Sequence, residues 1–106
     1  MAYKRLVDKL TKENLWLYII RLLKERPMYG KEIVKEIRDR FNFSPATVTV
    51  YVVLYKMAKE GLVRKVQVAE GEGKVYYEPT ERGLEVFEKG KEFMRSVYKS
   101  LFEEEP

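Results

Sequence analysis

Residues 61–77, GLVRKVQVAEGEGKVYY, interrupt a chain whose other apolar residues recur at helical spacing. Two runs, 62–68 and 74–78, flank the glycine-bearing acidic tip Glu70-Gly71-Glu72-Gly73. The pattern predicts a single β-hairpin, with Gly71 and Gly73 supplying the positive-φ positions that its turn needs. Any fold for this chain must place that hairpin beside helices, with basic Lys65 and Lys74 on its arms and Glu70 and Glu72 at its tip.

The helices around it are delimited by their own signals. Tyr3, Leu6, Val7 and Leu10 share one face of a first helix. Thr11 is the expected cap of a second, over 12–25, which is apolar on nearly all sides from Leu15 to Leu23 and is stopped by Pro27. After the turn Arg26-Pro27-Met28-Tyr29, a helix over 30–41 turns Ile33, Val34, Ile37 and Phe41 inward. Ser44-Pro45, an N-cap serine followed by an N1 proline, predicts the start of the next helix, which Gly61 closes. Its run from Thr47 to Val53 is β-branched enough to read as strand, but these boundary signals and the sequence Leu54 to Glu60 favour helix. Val50, Val53, Leu54 and Met57 then form its inward stripe. Thr80 caps a last helix over 81–103, with Leu84, Phe87, Met94, Val97, Tyr98 and Leu101 on a roughly heptad stripe that Gly90 interrupts.

The expected fold is therefore mainly α with a small β-hairpin. Two helices joined by a short turn and followed by a hairpin make a winged helix-turn-helix, here over residues 11–80 of a single domain spanning 1–106. The hairpin is the wing, beside the recognition helix. Helices within 1–25 and 81–103 have more apolar surface than one small domain covers, so both are expected in a dimer interface. Candidates for that interface are Leu15, Trp16, Leu84, Phe87, Met94, Val97, Tyr98 and Leu101.

Charge agrees with a polyanionic partner. Residues 24–65 hold ten basic and five acidic side chains, whereas 78–106 hold five basic and eight acidic. The chain has neither cysteine nor histidine, which removes disulfides, thiolate nucleophiles, the commonest general base and the usual zinc ligands. Glu70 and Glu72 are paired carboxylates without a pocket, and no glycine-rich phosphate loop opens a helix. No enzyme, metal or cofactor is expected. The longest apolar run, 15–23, is broken by Arg21 and is too short to span a membrane. The N-terminus lacks a signal-peptide core, so a cytoplasmic, nucleoid-associated protein is expected.

Four segments carry a family resemblance. Pro27-Met28-Tyr29-Gly30-Lys31-Glu32-Ile33 resembles the G-P-x-Y-G-x-E-I signature of PadR-like transcriptional regulators. Thr49-Val50-Tyr51 followed by Leu54 is similar to their T-L-Y segment, and Glu60-Gly61-Leu62-Val63 to their E-G-L-I entry to the wing. Lys74 to Gly83 resembles the exit R-x-Y-Y-x-L-T-x-x-G. Arg26 replaces a usual glycine, Val48 another, Val52 a common proline and Pro79 a leucine. The resemblance implies a dimeric repressor on a palindromic operator, often released by a small ligand, and it ties Ser44, Thr49 and Tyr51 to DNA contact.

On physical grounds Thr47, Lys56, Lys65 and Lys74 join those DNA-contact candidates, since hydroxyls and lysines are good phosphate donors. They discriminate bases poorly, so modest direct readout is expected. Thr methyls, Val52 and Tyr51 offer contact to thymine methyls and a lean toward A·T sites. Tyr29 reads first as a packing residue in its turn, and one of Tyr51 and Tyr55 as core. Trp16 reads as core or interface, although a cavity between apolar dimer helices would let a small aromatic ligand stack on it. The acidic tip either points past the DNA or sets where the wing sits. Two other functions compete: a sequence-tolerant architectural DNA-binding protein, and a winged-helix protein-interaction module.

Overall fold

The computed structural model describes residues 1–69 and 73–103. The wing tip Glu70-Gly71-Glu72 and the terminal residues 104–106 lie outside the described residues. Among the described residues, five α-helices and three short strands follow one another as α1 (Ala2–Leu10), α2 (Leu15–Leu23), β1 (Met28–Tyr29), α3 (Gly30–Phe41), α4 (Thr47–Lys59), β2 (Val63–Val66), β3 (Tyr76–Pro79) and α5 (Glu81–Phe102).

The core forms where α2, α3 and α4 meet. Ile19, Ile20, Leu22, Ile33, Ile37, Val50 and Leu54 are completely inaccessible to solvent. This burial decides the conformation of the β-branched segment. Six Thr and Val residues in α4 cost about 3–4 kcal/mol of helix propensity relative to alanine. Burying Val50, Leu54 and Met57 returns about 5–9 kcal/mol, so packing overrides local preference. Val53, placed inward from the sequence, is only half-buried.

Several boundaries differ from expectation. Residues 12–14 form a 3-10 turn rather than the first turn of α2, and the Thr11 hydroxyl donates back to the Val7 carbonyl instead of capping forward. Helix α2 ends at Leu23, before Pro27. Ala46, not Ser44, is the N-cap of α4, and no side chain caps its first turn. Asn42 ends α3 in the left-handed region at φ 60°. At the end of α4, Gly61 has φ 78°, its N–H reaches the Ala58 carbonyl and the Leu62 N–H reaches that of Met57. That is a Schellman closure, and it needs the glycine.

The hairpin arms are shorter than their apolar runs, and they belong to a three-stranded antiparallel sheet in the order β1-β3-β2. Lys65 pairs with Tyr77 and Val66 with Tyr76, while on the other edge Met28 pairs with Tyr77 and Tyr29 with Tyr76. Two-residue β1 has no periodicity to reveal it; its segment reads as a turn in the sequence.

Thr80 joins the wing to α5. Its N–H donates to the Leu62 carbonyl at 3.1 Å and its hydroxyl to that of Gly61, while its Oγ1 accepts from the Gly83 N–H at 3.0 Å. Gly83 lies so close to the Leu62 carbonyl that a Cβ there would overlap it.

Candidate nucleic-acid interface

Helix α4 packs on α3 and β2 through Val50, Leu54 and Met57, leaving the opposite side in solvent. With 3.6 residues per turn, positions 48, 52, 55 and 59 make one outward stripe. Val48 is 73% exposed, Val52 46% and Tyr55 62%. The Lys59 ammonium lies 5.3 Å from the centroid of the Tyr55 ring. Val48 and Tyr55 were not among the sequence candidates; the spacing of 48, 52 and 55 is the signal that reveals them. Thr47 and Thr49 are exposed in the first turn, and Ser44 is exposed in the preceding loop.

Tyr51 is half committed elsewhere. Its ring rests on Gly30, which is buried, so one side of the ring packs across the helix-turn-helix while the residue stays 45% exposed. Lys56 is exposed but turned away from the outward stripe. It lines a groove with Lys12, Trp16, Val53, Glu60 and Val86, toward the start of α2.

The turn before α3 is built by its own motif. Tyr29 is the N-cap, and its backbone N–H donates to Glu32 Oε1 at 3.2 Å, while Arg26 reaches the other Glu32 oxygen at 3.1 Å. The Tyr29 ring meets Tyr76 edge-on at 5.3 Å. Tyr29 is therefore a packing residue, as its sequence context suggests. The Lys74 ammonium lies 4.7 Å from the centroid of the same ring, a cation–π contact that holds this candidate near the base of the wing. Lys65 is exposed on β2. Arg64 beside it is paired across the sheet with Glu78 at 2.6 Å. Burial pushes the Tyr77 phenol above its ordinary range, with Tyr51 adding to the effect.

Other basic residues are spoken for. Arg40 grips Glu25 with two bonds of 2.9 and 2.8 Å, tying the end of α3 to the chain after α2, and this holds the Glu25 carboxyl below its usual range. Lys35 pairs with Asp39 at 2.7 Å and lowers that carboxyl likewise. Of the ten basic residues in 24–65, Lys24, Lys31, Lys56, Lys59 and Lys65 have no ion-pair partner among the described residues.

The interface candidates divide sharply. Leu15 is 2% exposed, so its side chain is spent in the core of the protomer and cannot meet a partner. Trp16 is half-buried, packs toward Gly90 of α5 and donates its indole N–H to Asn14 at 3.2 Å. Phe87 packs against the core, under the Lys24 ammonium. Leu84, Met94, Val97, Tyr98 and Leu101 are exposed, and so are Phe93 and Phe102, which the heptad reading left out. Helix α1 buries no residue at all and presents Tyr3, Leu6, Val7 and Leu10 to solvent.

A helix-turn-helix packed on a three-stranded sheet, with the second helix exposed along one face, makes a winged helix-turn-helix protein. Residues 19–89 match the transcriptional regulator PadR-like family, and the chain belongs to it. A PadR family transcription regulator from Clostridium difficile R20291 superposes with a TM-score of 0.72 at 27% identity, covering 82% of this chain and 93% of that one. A PadR-like transcriptional regulator from Bacillus cereus gives 0.70 at 26% identity, covering 89% and 96%. Bacillus subtilis PadR, solved in complex with operator DNA, shares the fold at a TM-score of 0.66 and 20% identity, covering 83% of this chain and 59% of that one. No curated protein sequence matches significantly. No helix among the described residues is long and apolar enough to cross a membrane.

Proposed function

We propose that the chain is a homodimeric repressor, not an enzyme, that binds a palindromic operator in the cytoplasm. The observation that carries this reading is the exposed face of α4. It has no acidic residue from Thr47 to Lys59, and the two elements it packs on, α3 and β2, carry the exposed Lys31 and Lys65. Such a face favours phosphate on both flanks and a groove between them. Ser44, Thr47, Thr49, Lys65 and Lys74 serve as backbone contacts. The Bacillus subtilis relative in complex with operator DNA supports the same use of the fold.

The dimer is held by α1 and the second half of α5, where the exposed apolar side chains concentrate. A groove of about 440 Å³ lined by Leu10, Leu17, Tyr18, Phe41, Phe87 and Met94, together with the cationic Arg21 and Lys91, lies beside that surface. Its aromatic lining suits a small aromatic effector, which would act by shifting the spacing of the two recognition helices.

Selection of bound duplexes from a randomised library, followed by salt titration, tests the reading. An enriched inverted repeat with half-sites about one helical turn apart supports it. Binding without enrichment that falls steeply with salt favours an architectural protein instead. Absence of binding at low salt leaves a protein-interaction module.

A further inference from the structure

Resting on this DNA-binding reading, we infer that α4 selects its site through thymine methyl groups, by way of the stripe Val48, Val52 and Tyr55. In the major groove each base pair presents hydrogen-bonding edges, and thymine alone adds an apolar group, its C5 methyl. A recognition helix discriminates those edges chiefly with arginine, lysine, asparagine, glutamine or carboxylates, while serine and threonine hydrogen-bond them with little discrimination. From Thr47 to Tyr55 this helix has none of these. What it turns outward instead is apolar, with Val48 73% exposed, Val52 46% and Tyr55 62%. The remaining polar groups there are the Thr47 and Thr49 hydroxyls, each beside a γ-methyl, and the hydroxyls of Tyr51 and Tyr55. Tyr51 packs one side of its ring against Gly30, so Val48, Val52 and Tyr55 make up most of the apolar surface that α4 offers to base edges.

Charge favours DNA as the occupant: Lys59, above the Tyr55 ring, and Lys31 on the neighbouring helix suit the phosphates that duplex DNA supplies on both sides of its groove. The occupant is therefore a major groove with thymines facing α4 at the centre of each half-site.

The test replaces thymine by deoxyuridine in the duplex enriched from the randomised library, which deletes only the C5 methyl. Affinity is expected to fall about fourfold for each contacted methyl, the effect of burying one such group, and about fifteenfold when one is lost from each half-site. The variants Val52→Thr and Val48→Thr replace a methyl by a hydroxyl at nearly constant shape. In either variant the ratio of thymine to uracil affinity should fall toward one. A merely structural defect would weaken both duplexes alike and keep the ratio. Val48, in the exposed first turn, leaves the core untouched should Val52→Thr fold poorly. Equal affinity for thymine and uracil duplexes, with sequence preference retained, overturns the inference and leaves the regulator. Loss of all sequence preference overturns both together.

Discussion

The Tyr51 ring occupies the space that a side chain on Gly30 would need, so a Cβ there would overlap its Cε1 and Cζ atoms. The contact joins the first residue of α3 to the first half of α4. Gly30→Ala should therefore push the half-exposed Tyr51 ring aside and lower stability by about 1 kcal/mol, the low end of the cost of overpacking, because the overlapped atoms are those of a side chain that can shift. Tyr51→Ala in the same chain should recover part of that loss, because the overlapping ring is gone. Denaturant midpoints of the two single variants and the double variant measure the coupling. Additive losses would show that the ring and the glycine act independently.

Gly83 and Gly90 both sit inside α5, yet their substitutions should differ. A Cβ on Gly83 meets the backbone carbonyl of Leu62, which is fixed by its bond from Thr80. A Cβ on Gly90 meets the tip of Trp16 at 3.1 Å and Leu17 at 3.3 Å, both side-chain atoms that can shift. Gly83→Ala should cost more than about 2 kcal/mol and loosen the wing. Gly90→Ala should stay within about 1 kcal/mol of the parent, since helix propensity gains nearly what crowding loses. Thermal unfolding of the two variants decides it, and equal Tm values would refute the distinction.

Much of this was legible in sequence because the signals were local. Gly61, the Thr80 cap and the spacing of Ile33 and Ile37 are read within one helical turn, and the structure keeps them. The resemblance motifs also prove to be contacts: Gly30 meets Tyr51, and Leu62 meets Gly83. What escaped was set by tertiary packing. Strand β1 exists only because β3 pairs with it. Leu15 lies on a helix apolar all round, where sequence cannot say which side is core and which is surface. Ser44-Pro45 carries a capping signature, but Ala46 is the residue in extended geometry before α4.

Subunit association should depend on the exposed half of α5 and not on Leu15. Leu101→Glu, at a position 68% exposed, should leave the protomer folded while shifting the mass seen in light scattering toward monomer. Leu15→Ala should cost about 2–5 kcal/mol of stability through the cavity it leaves. A monomeric but fully stable Leu15→Ala protein would reverse this assignment.

Glu25 supplies a pH-dependent element of stability. Its hydrogen bond to Arg40 comes first in lowering its pKa below the ordinary 4.5, and Arg21 contributes. Because the folded value is the depressed one, the stabilisation is present above about pH 4.5 and fades as pH falls through the folded pKa. Both side chains are exposed, so the contribution is a small one. Arg40→Gln should return the Glu25 titration toward its ordinary value, as followed by carboxyl carbon NMR. An unmoved titration would show that Arg40 does not set it.

Lys65 and Lys56 are both exposed lysines, but their positions predict different effects on DNA binding. Lys65 stands on β2 of the wing, whereas Lys56 lines the groove with Lys12 and Trp16 on the flank away from the outward stripe. Each phosphate contact contributes about 0.9 to the slope of log affinity against log salt. Lys65→Gln should therefore reduce that slope by about 1.8 in a dimer, one contact per subunit, and weaken all duplexes uniformly. Lys56→Gln should leave the slope nearly unchanged. Salt titrations of both variants against the enriched duplex measure the difference. A larger loss from Lys56 would mean that the DNA approaches from the α2 side of α4, and the outward stripe of Val48, Val52 and Tyr55 would no longer face the groove.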